Sequence, residues 1–206
     1  MQRSLRRLID GPAGKLELAI DRTENAPVGV ALIAHPHPLQ GGTLDNKVVA
    51  TLVRAFTKLG YVALRMNFRG VGQSEGHHDN GIGETNDMLA VADYARNEFG
   101  NLPIVLAGFS FGAYVQSRVA QRIEHQRLVL IAPAVDRFEV GAVPDNTLVI
   151  HGDEDDVVPL SATLKWARAQ KLPVVVLPGA GHFFHGYLIE LQAVVLASFG
   201  APENPA

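Results

Sequence analysis

The chain has 206 residues, 47% apolar and 19% charged, which fits one globular domain with a sizeable core and excludes disorder over most of its length. Eighteen Lys and Arg against 21 Asp and Glu leave a net charge of −3, too little positive field to hold a nucleic-acid backbone. There is no apolar run long enough to span a membrane, the basic cluster Arg3, Arg6 and Arg7 precedes no signal-type apolar segment, and the absence of cysteine removes disulfides, thiolate nucleophiles and zinc–thiolate sites. The expectation is a single domain over 1–206, with 202–206 as a flexible tail, working in the cytoplasm.

In chain order, Lys15 to Ile20 reads as an antiparallel strand near a sheet edge. Near-continuous apolar runs rich in Val, Ile and Leu follow at 28–34, 61–68, 102–109, 128–131, 147–151 and 173–177, the pattern of strands covered on both faces. Helical segments are expected at 45–59, 84–99, 111–123, 160–170 and 185–199, with Gly60 and Gly100 ending the first two. This alternation predicts an α/β class domain: a doubly wound, mostly parallel central sheet flanked by helices, with ligands at the carboxyl ends of the strands.

The loops after those runs therefore carry the argument. Gly108-Phe-Ser-Phe-Gly112 stands between an apolar run and an amphipathic segment with a stripe at Phe111, Val115, Val119 and Ile123. A strand-to-helix turn tight enough to project Ser110 needs small residues two positions to either side, and the Phe111 N–H at the helix start is then available to an oxyanion. A serine needs a base, and the base needs an orienting acid. Downstream, one run ends in His151-Gly-Asp-Glu-Asp-Asp156 and the last in Gly179-Ala-Gly-His182, which supply candidates in the order serine, acid, histidine.

Other polar clusters read more plainly. His182-x-x-His185 lacks the further ligands of a metal site. Gly70-x-Gly72-x-x-x-Gly76 misses the dinucleotide fingerprint by one residue and opens no helix. His35 reads as structural, Arg69 as a local pairing residue, Trp166 as packing, and His77, His78 and Asp79 as solvated loop.

With these motifs the chain resembles the α/β-hydrolase superfamily, in its small lidless branch near dienelactone-hydrolase-like and serine-aminopeptidase-like proteins. The resemblance spans nearly the whole length through His35-Pro-His-Pro-Leu-Gln-Gly-Gly42, Asn67-Phe-Arg-Gly-Val-Gly-Gln-Ser74, the serine turn, His151-Gly-Asp-Glu-Asp-Asp-Val-Val-Pro159 and Gly179-Ala-Gly-His182. It implies a triad of Ser110, Asp155 and His182, with Asp156 and Asp153 as rival acids. It also implies an oxyanion hole of Phe111 N–H and His37 N–H, with Leu39 as the alternative second donor.

The activity so implied is hydrolysis of a carboxylic ester or thioester of a small soluble substrate through an acyl-enzyme, with no metal or organic cofactor. An amide or short-peptide hydrolase, or a non-catalytic binding protein on the same fold, are the alternatives. Between the runs at 128–131 and 147–151, Pro133, Gly141 and Pro144 leave room for at most one short turn and no lid. Ser110 is thus expected to face a shallow open groove lined by the His35–Gln40 and Arg137–Val143 loops, favouring short-chain or bulky polar esters.

Overall fold

A computed structural model describes residues 4–200, so the expected tail at 202–206 lies outside the described residues, as does Arg3. Eight strands form one sheet: β1 (Leu5–Gly11), β2 (Gly14–Asp21), β3 (Gly29–Ala34), β4 (Tyr61–Met66), β5 (Ile104–Phe109), β6 (Arg127–Ile131), β7 (Leu148–Gly152) and β8 (Val174–Leu177). Their spatial order is β1-β2-β4-β3-β5-β6-β7-β8, antiparallel from β1 to β4 and parallel from β4 to β8. The helices are α1 (Lys47–Lys58), α2 (Ile82–Phe99), α3 (Phe111–Ala120), α4 (Leu160–Gln170) and α5 (Leu188–Ser198).

The central strands are apolar throughout because both faces are covered. In β3, Val30, Leu32 and Ala34 enter one core with Met88 of α2 and Val115 of α3, while Ala31 and Ile33 enter the other with Phe56 of α1 and Leu191 of α5. Successive side chains on a strand point to opposite faces, so one run of sequence builds two cores.

β1 is not announced by the sequence. Leu-Arg-Arg-Leu-Ile-Asp-Gly sits at the sheet edge with its first four residues exposed, paired antiparallel with β2 from Leu5↔Ile20 to Gly11↔Gly14. One of its basic residues serves structure: Arg6 reaches Glu17 at 3.2 Å and Asp45 at 2.7 Å. Helix ends also shift. α3 stops at Ala120 rather than 123, and residues 185–187 belong to the turn before α5. α2 starts two residues earlier than expected because the Glu84 carboxylate accepts the Gly81 N–H at 2.8 Å and closes its first turn.

Candidate active site

The carboxyl ends of β3, β5, β7 and β8 meet over one small area, and each contributes a loop. β5 stops at Phe109 and α3 starts at Phe111, which leaves Ser110 alone to reverse the chain at φ 55° and ψ −115°. That left-handed φ is unfavourable for a residue with a side chain. It is held by the Ser110 N–H, which donates to the Ile131 carbonyl at 2.9 Å, and by close packing around the two glycines. A Cβ on Gly108 would overlap the Gly112 carbonyl, and one on Gly112 would overlap the carbonyls of Ala34 and His35. The Phe111 N–H, first in α3, donates to no atom of the described residues.

From β8, the turn Pro178 to Gly181 brings His182 back across the sheet, with Gly179 at φ 80° and the buried Phe184 at φ 51° shaping the two sides of the loop. The His182 ring is 4% exposed and rests on Phe109, centroids 5.0 Å apart. Its Nε2 lies 3.1 Å from Ser110 Oγ and its Nδ1 lies 2.7 Å from Asp155 Oδ2. A carboxylate only accepts, so Nδ1 carries the hydrogen and Nε2 is the acceptor for the serine hydroxyl.

Asp155 is buried, whereas its neighbours Asp153, Glu154 and Asp156 are exposed. The register of the turn after β7 explains the difference. Asp155 Oδ1 accepts the N–H groups of Val157 at 2.9 Å and Val158 at 2.7 Å, which turns Oδ2 toward the histidine. Burial on its own raises the pKa of this carboxyl. Hydrogen bonds from His151, His182 and the Val158 N–H outweigh that effect and hold it well below the usual carboxylate range. The acid and histidine loops are tied together as well, since the Glu154 N–H donates to the Ala180 carbonyl at 3.1 Å.

The loop after β3 faces the serine from the other side. His35 is fully buried: Nδ1–H donates to the Pro36 carbonyl at 2.7 Å and Nε2 accepts the Phe68 N–H at 2.9 Å. Burial pushes its pKa down to about 4. His37 Nδ1 accepts the Leu39 N–H at 3.2 Å, so the Leu39 donor is occupied, while the His37 N–H donates to no atom of the described residues. The His37 ring packs at a tilt against Phe111, centroids 5.0 Å apart, and against His78, 4.9 Å apart.

His78 corrects the sequence reading. His77 and Asp79 are exposed as expected, but the His78 side chain is only 10% exposed, with Nδ1 2.7 Å from the buried Glu84. The chain returns over α3 at this point, and a buried carboxylate in the first turn of α2 draws the ring inward. Arg69 does pair nearby, in a two-pronged contact with Asp87 of α2 at 2.8 and 2.7 Å. His151 is a further residue that contacts the site and was quoted in the sequence only as part of a motif.

Ser110 and His182 open onto a cleft of about 110 Å³ walled by Pro36, His37, Gln40, Asn46, Val157 and Phe183. The loop after β3 lines it as expected, but the 137–143 segment does not. Phe138 instead stacks on Tyr114 at 4.8 Å and packs against Phe111 at 5.2 Å, and the Val140 carbonyl accepts the Trp166 indole N–H at 2.8 Å, so this segment ties α3 to α4. The second wall comes from the acid and histidine loops. The described chain between β6 and β7 has a turn but no helix over the serine. A larger depression of about 910 Å³ lies at the opposite ends of the strands, around Pro103 and Gln126, far along the fold from this cluster. No metal-binding group of three or more His, Asp or Glu occurs among the described residues, and no described helix is long and apolar enough to cross a membrane.

Comparison with known proteins bears on the family and the fold. The family described as serine aminopeptidase, S33, matches residues 39–140, a span that holds Ser110 and ends before Asp155 and His182. The protein RP471 of Rickettsia prowazekii, described only as uncharacterized, is 33% identical over 210 residues, 89% of this chain and 88% of its own length. An α/β serine hydrolase homologue from Coxiella burnetii is 40% identical with a TM-score of 0.91, covering 97% of this chain and 99% of that one. XC6422 from Xanthomonas campestris, described as an α/β serine hydrolase without lid, is 37% identical with a TM-score of 0.93, covering 100% and 98%.

Proposed function

Because the chain belongs to the α/β-hydrolase superfamily, we propose that it is a serine hydrolase that cleaves a carboxylic ester or thioester of a small soluble substrate through an acyl-enzyme. The observation that carries this reading is the continuous contact from Ser110 Oγ through His182 to Asp155, 3.1 and 2.7 Å, at the mouth of a cleft. His182 Nε2 takes the serine proton as Oγ attacks the carbonyl carbon. Asp155 keeps the ring in the tautomer that makes this transfer possible and stabilises the imidazolium that forms. The N–H groups of Phe111 and His37, both without other partners in the described chain, receive the oxyanion, where preorganised donors contribute most. His182 then returns the proton to the leaving alcohol or thiol, and water, activated the same way, releases the acid. This chemistry needs neither metal nor organic cofactor, and a chain without cysteine suits a reducing cytoplasm.

The small cleft favours short acyl groups, with the partly exposed Phe183 as their apolar contact. The match to serine aminopeptidases over 39–140 supports a second reading, cleavage of an amide or short peptide at the same serine. Chromogenic esters of rising chain length, thioesters and aminoacyl amides, assayed in parallel against a Ser110→Ala control, distinguish the two. The expected result is Ser110-dependent turnover highest on acyl chains of about two to six carbons, falling with length as less of the chain finds a wall. Preference for amides moves the assignment to the second reading. A preference for chains of about twelve carbons or more contradicts the small-cleft argument.

A further inference from the structure

His151, the fourth residue of β7, is fully buried and stands directly beneath the acid turn. Its Nε2 lies 2.9 Å from the Val158 carbonyl oxygen and 3.3 Å from Asp155 Oδ2. Its Nδ1 has no partner in the structure. Both neighbours of Nε2 are pure acceptors, so the hydrogen sits on Nε2. A bare Nδ1 lone pair in an apolar setting also costs less than an N–H without an acceptor. One N–H therefore donates to the Val158 carbonyl at one end of the turn and faces the Asp155 carboxylate at the other.

We propose that His151 is a positioning residue for the triad: its shared Nε2–H clamps the acid turn and occupies part of the Asp155 Oδ2 capacity that would otherwise go to His182. The clamp is reciprocal. Val158 gives its N–H to Asp155 Oδ1 at 2.7 Å and receives the His151 N–H on its carbonyl, so both carboxylate oxygens and the backbone that holds them are fixed through one ring. Oδ2 then faces two imidazoles: it accepts from His182 at 2.7 Å and has the His151 Nε2 at 3.3 Å as a longer, secondary contact. A carboxylate with one donor removed is a stronger acceptor for the other, so loss of His151 should make His182 hold its proton to higher pH. Other charged groups bear on the pair from outside. Asp153, Glu154 and Asp156 share the turn but are exposed, and Arg137, from the segment between β6 and β7, donates to the Val157 carbonyl at 3.2 Å.

This inference rests on the proposed role of Asp155 and His182, but its test does not need turnover. The titration of the His182 ring carbons by NMR is followed on resting protein, in parallel with the acid limb of kcat/KM where a substrate is in hand. His151→Phe fills the space without a donor and should move the His182 midpoint upward by about 0.5 to 1 pH unit. His151→Gln carries an N–H to about the position of Nε2 and should restore the wild-type midpoint, whereas the shorter His151→Asn should behave like the Phe variant. Should the Phe variant fail to fold, the Gln and Asn pair alone decides. Folded variants whose His182 titration coincides with the wild type, whatever their activity, would reduce His151 to packing and overturn the proposal. Absence of turnover in wild-type protein with the midpoint shift present would instead count against the hydrolase reading alone.

Discussion

The serine and its two partners are held by different physics. Ser110 is placed by backbone geometry: a residue forced to positive φ between a buried strand and a helix, wedged where glycines let main chain lie on main chain. Asp155 and His182 are oriented by side-chain hydrogen bonds, in loops whose backbone has tight points of its own at Gly152 and Gly179. The first arrangement is indifferent to protonation and intolerant of added atoms. The second is sensitive as well to the donors, acceptors and charges around it.

The sharpest way to separate the two is to remove functional groups while keeping the scaffold. Ser110→Ala and His182→Ala should each abolish nearly all turnover, by about 10⁵-fold or more, and the double variant should be little worse, because the groups act as a unit. Additive losses in steady-state assays would mean the contact between them is not used. Asp155→Asn should leave the fold unchanged by circular dichroism and cost about 10⁴-fold, since an amide presents the wrong partner to Nδ1, while Asp156→Asn should cost almost nothing. A reversed order for the two acids would contradict the register of the acid turn.

Protonation should act on the polar region and leave the serine turn alone. His35 is neutral in the fold, with its pKa lowered to about 4, against about 6.5 in an unfolded chain. The unfolded chain thus binds the proton first as the pH falls. The stability contributed by this depression is complete above about pH 6.5 and declines as the pH drops to about 4, by about 3 kcal/mol in all. Denaturant melts at steps between pH 7 and 4.5 should show this decline in wild type; His35→Gln should flatten the slope, and an unchanged slope in that variant would remove His35 from the account. The smallest expected effect belongs to the serine turn: Gly112→Ala should destabilise the protein by about 1–3 kcal/mol at every pH, through overlap with the carbonyls of Ala34 and His35. A pH-dependent loss in this variant would show that the turn and the polar loops are not separable.

What the sequence made legible follows the same division. The central strands are readable because burial on both faces demands unbroken apolar runs, and the serine turn because its steric needs leave glycine at fixed offsets. β1 is not, since an edge strand with one face in water can carry Arg6 and Arg7 and lose the pattern. Asp155 was singled out through a resemblance, and four adjacent acids offered no local reason to prefer it until the turn buried one of them. His78 and the true second wall of the cleft depend on where loops fold in space, which neither periodicity nor composition encodes.

The connection between β6 and β7, with two short turns and no helix, also bears on timing. Nothing has to open before a product leaves or close before a substrate is attacked, so turnover of the proposed enzyme should carry no gating step and respond little to solvent viscosity below the encounter limit. With no helix folded over it, an acyl-serine of the proposed enzyme would meet water through the mouth of the cleft throughout its lifetime. Partition of that intermediate should therefore favour hydrolysis over transfer to another alcohol, and any acceptor that competes must do so by concentration, because no helix closes over the cleft to keep water out.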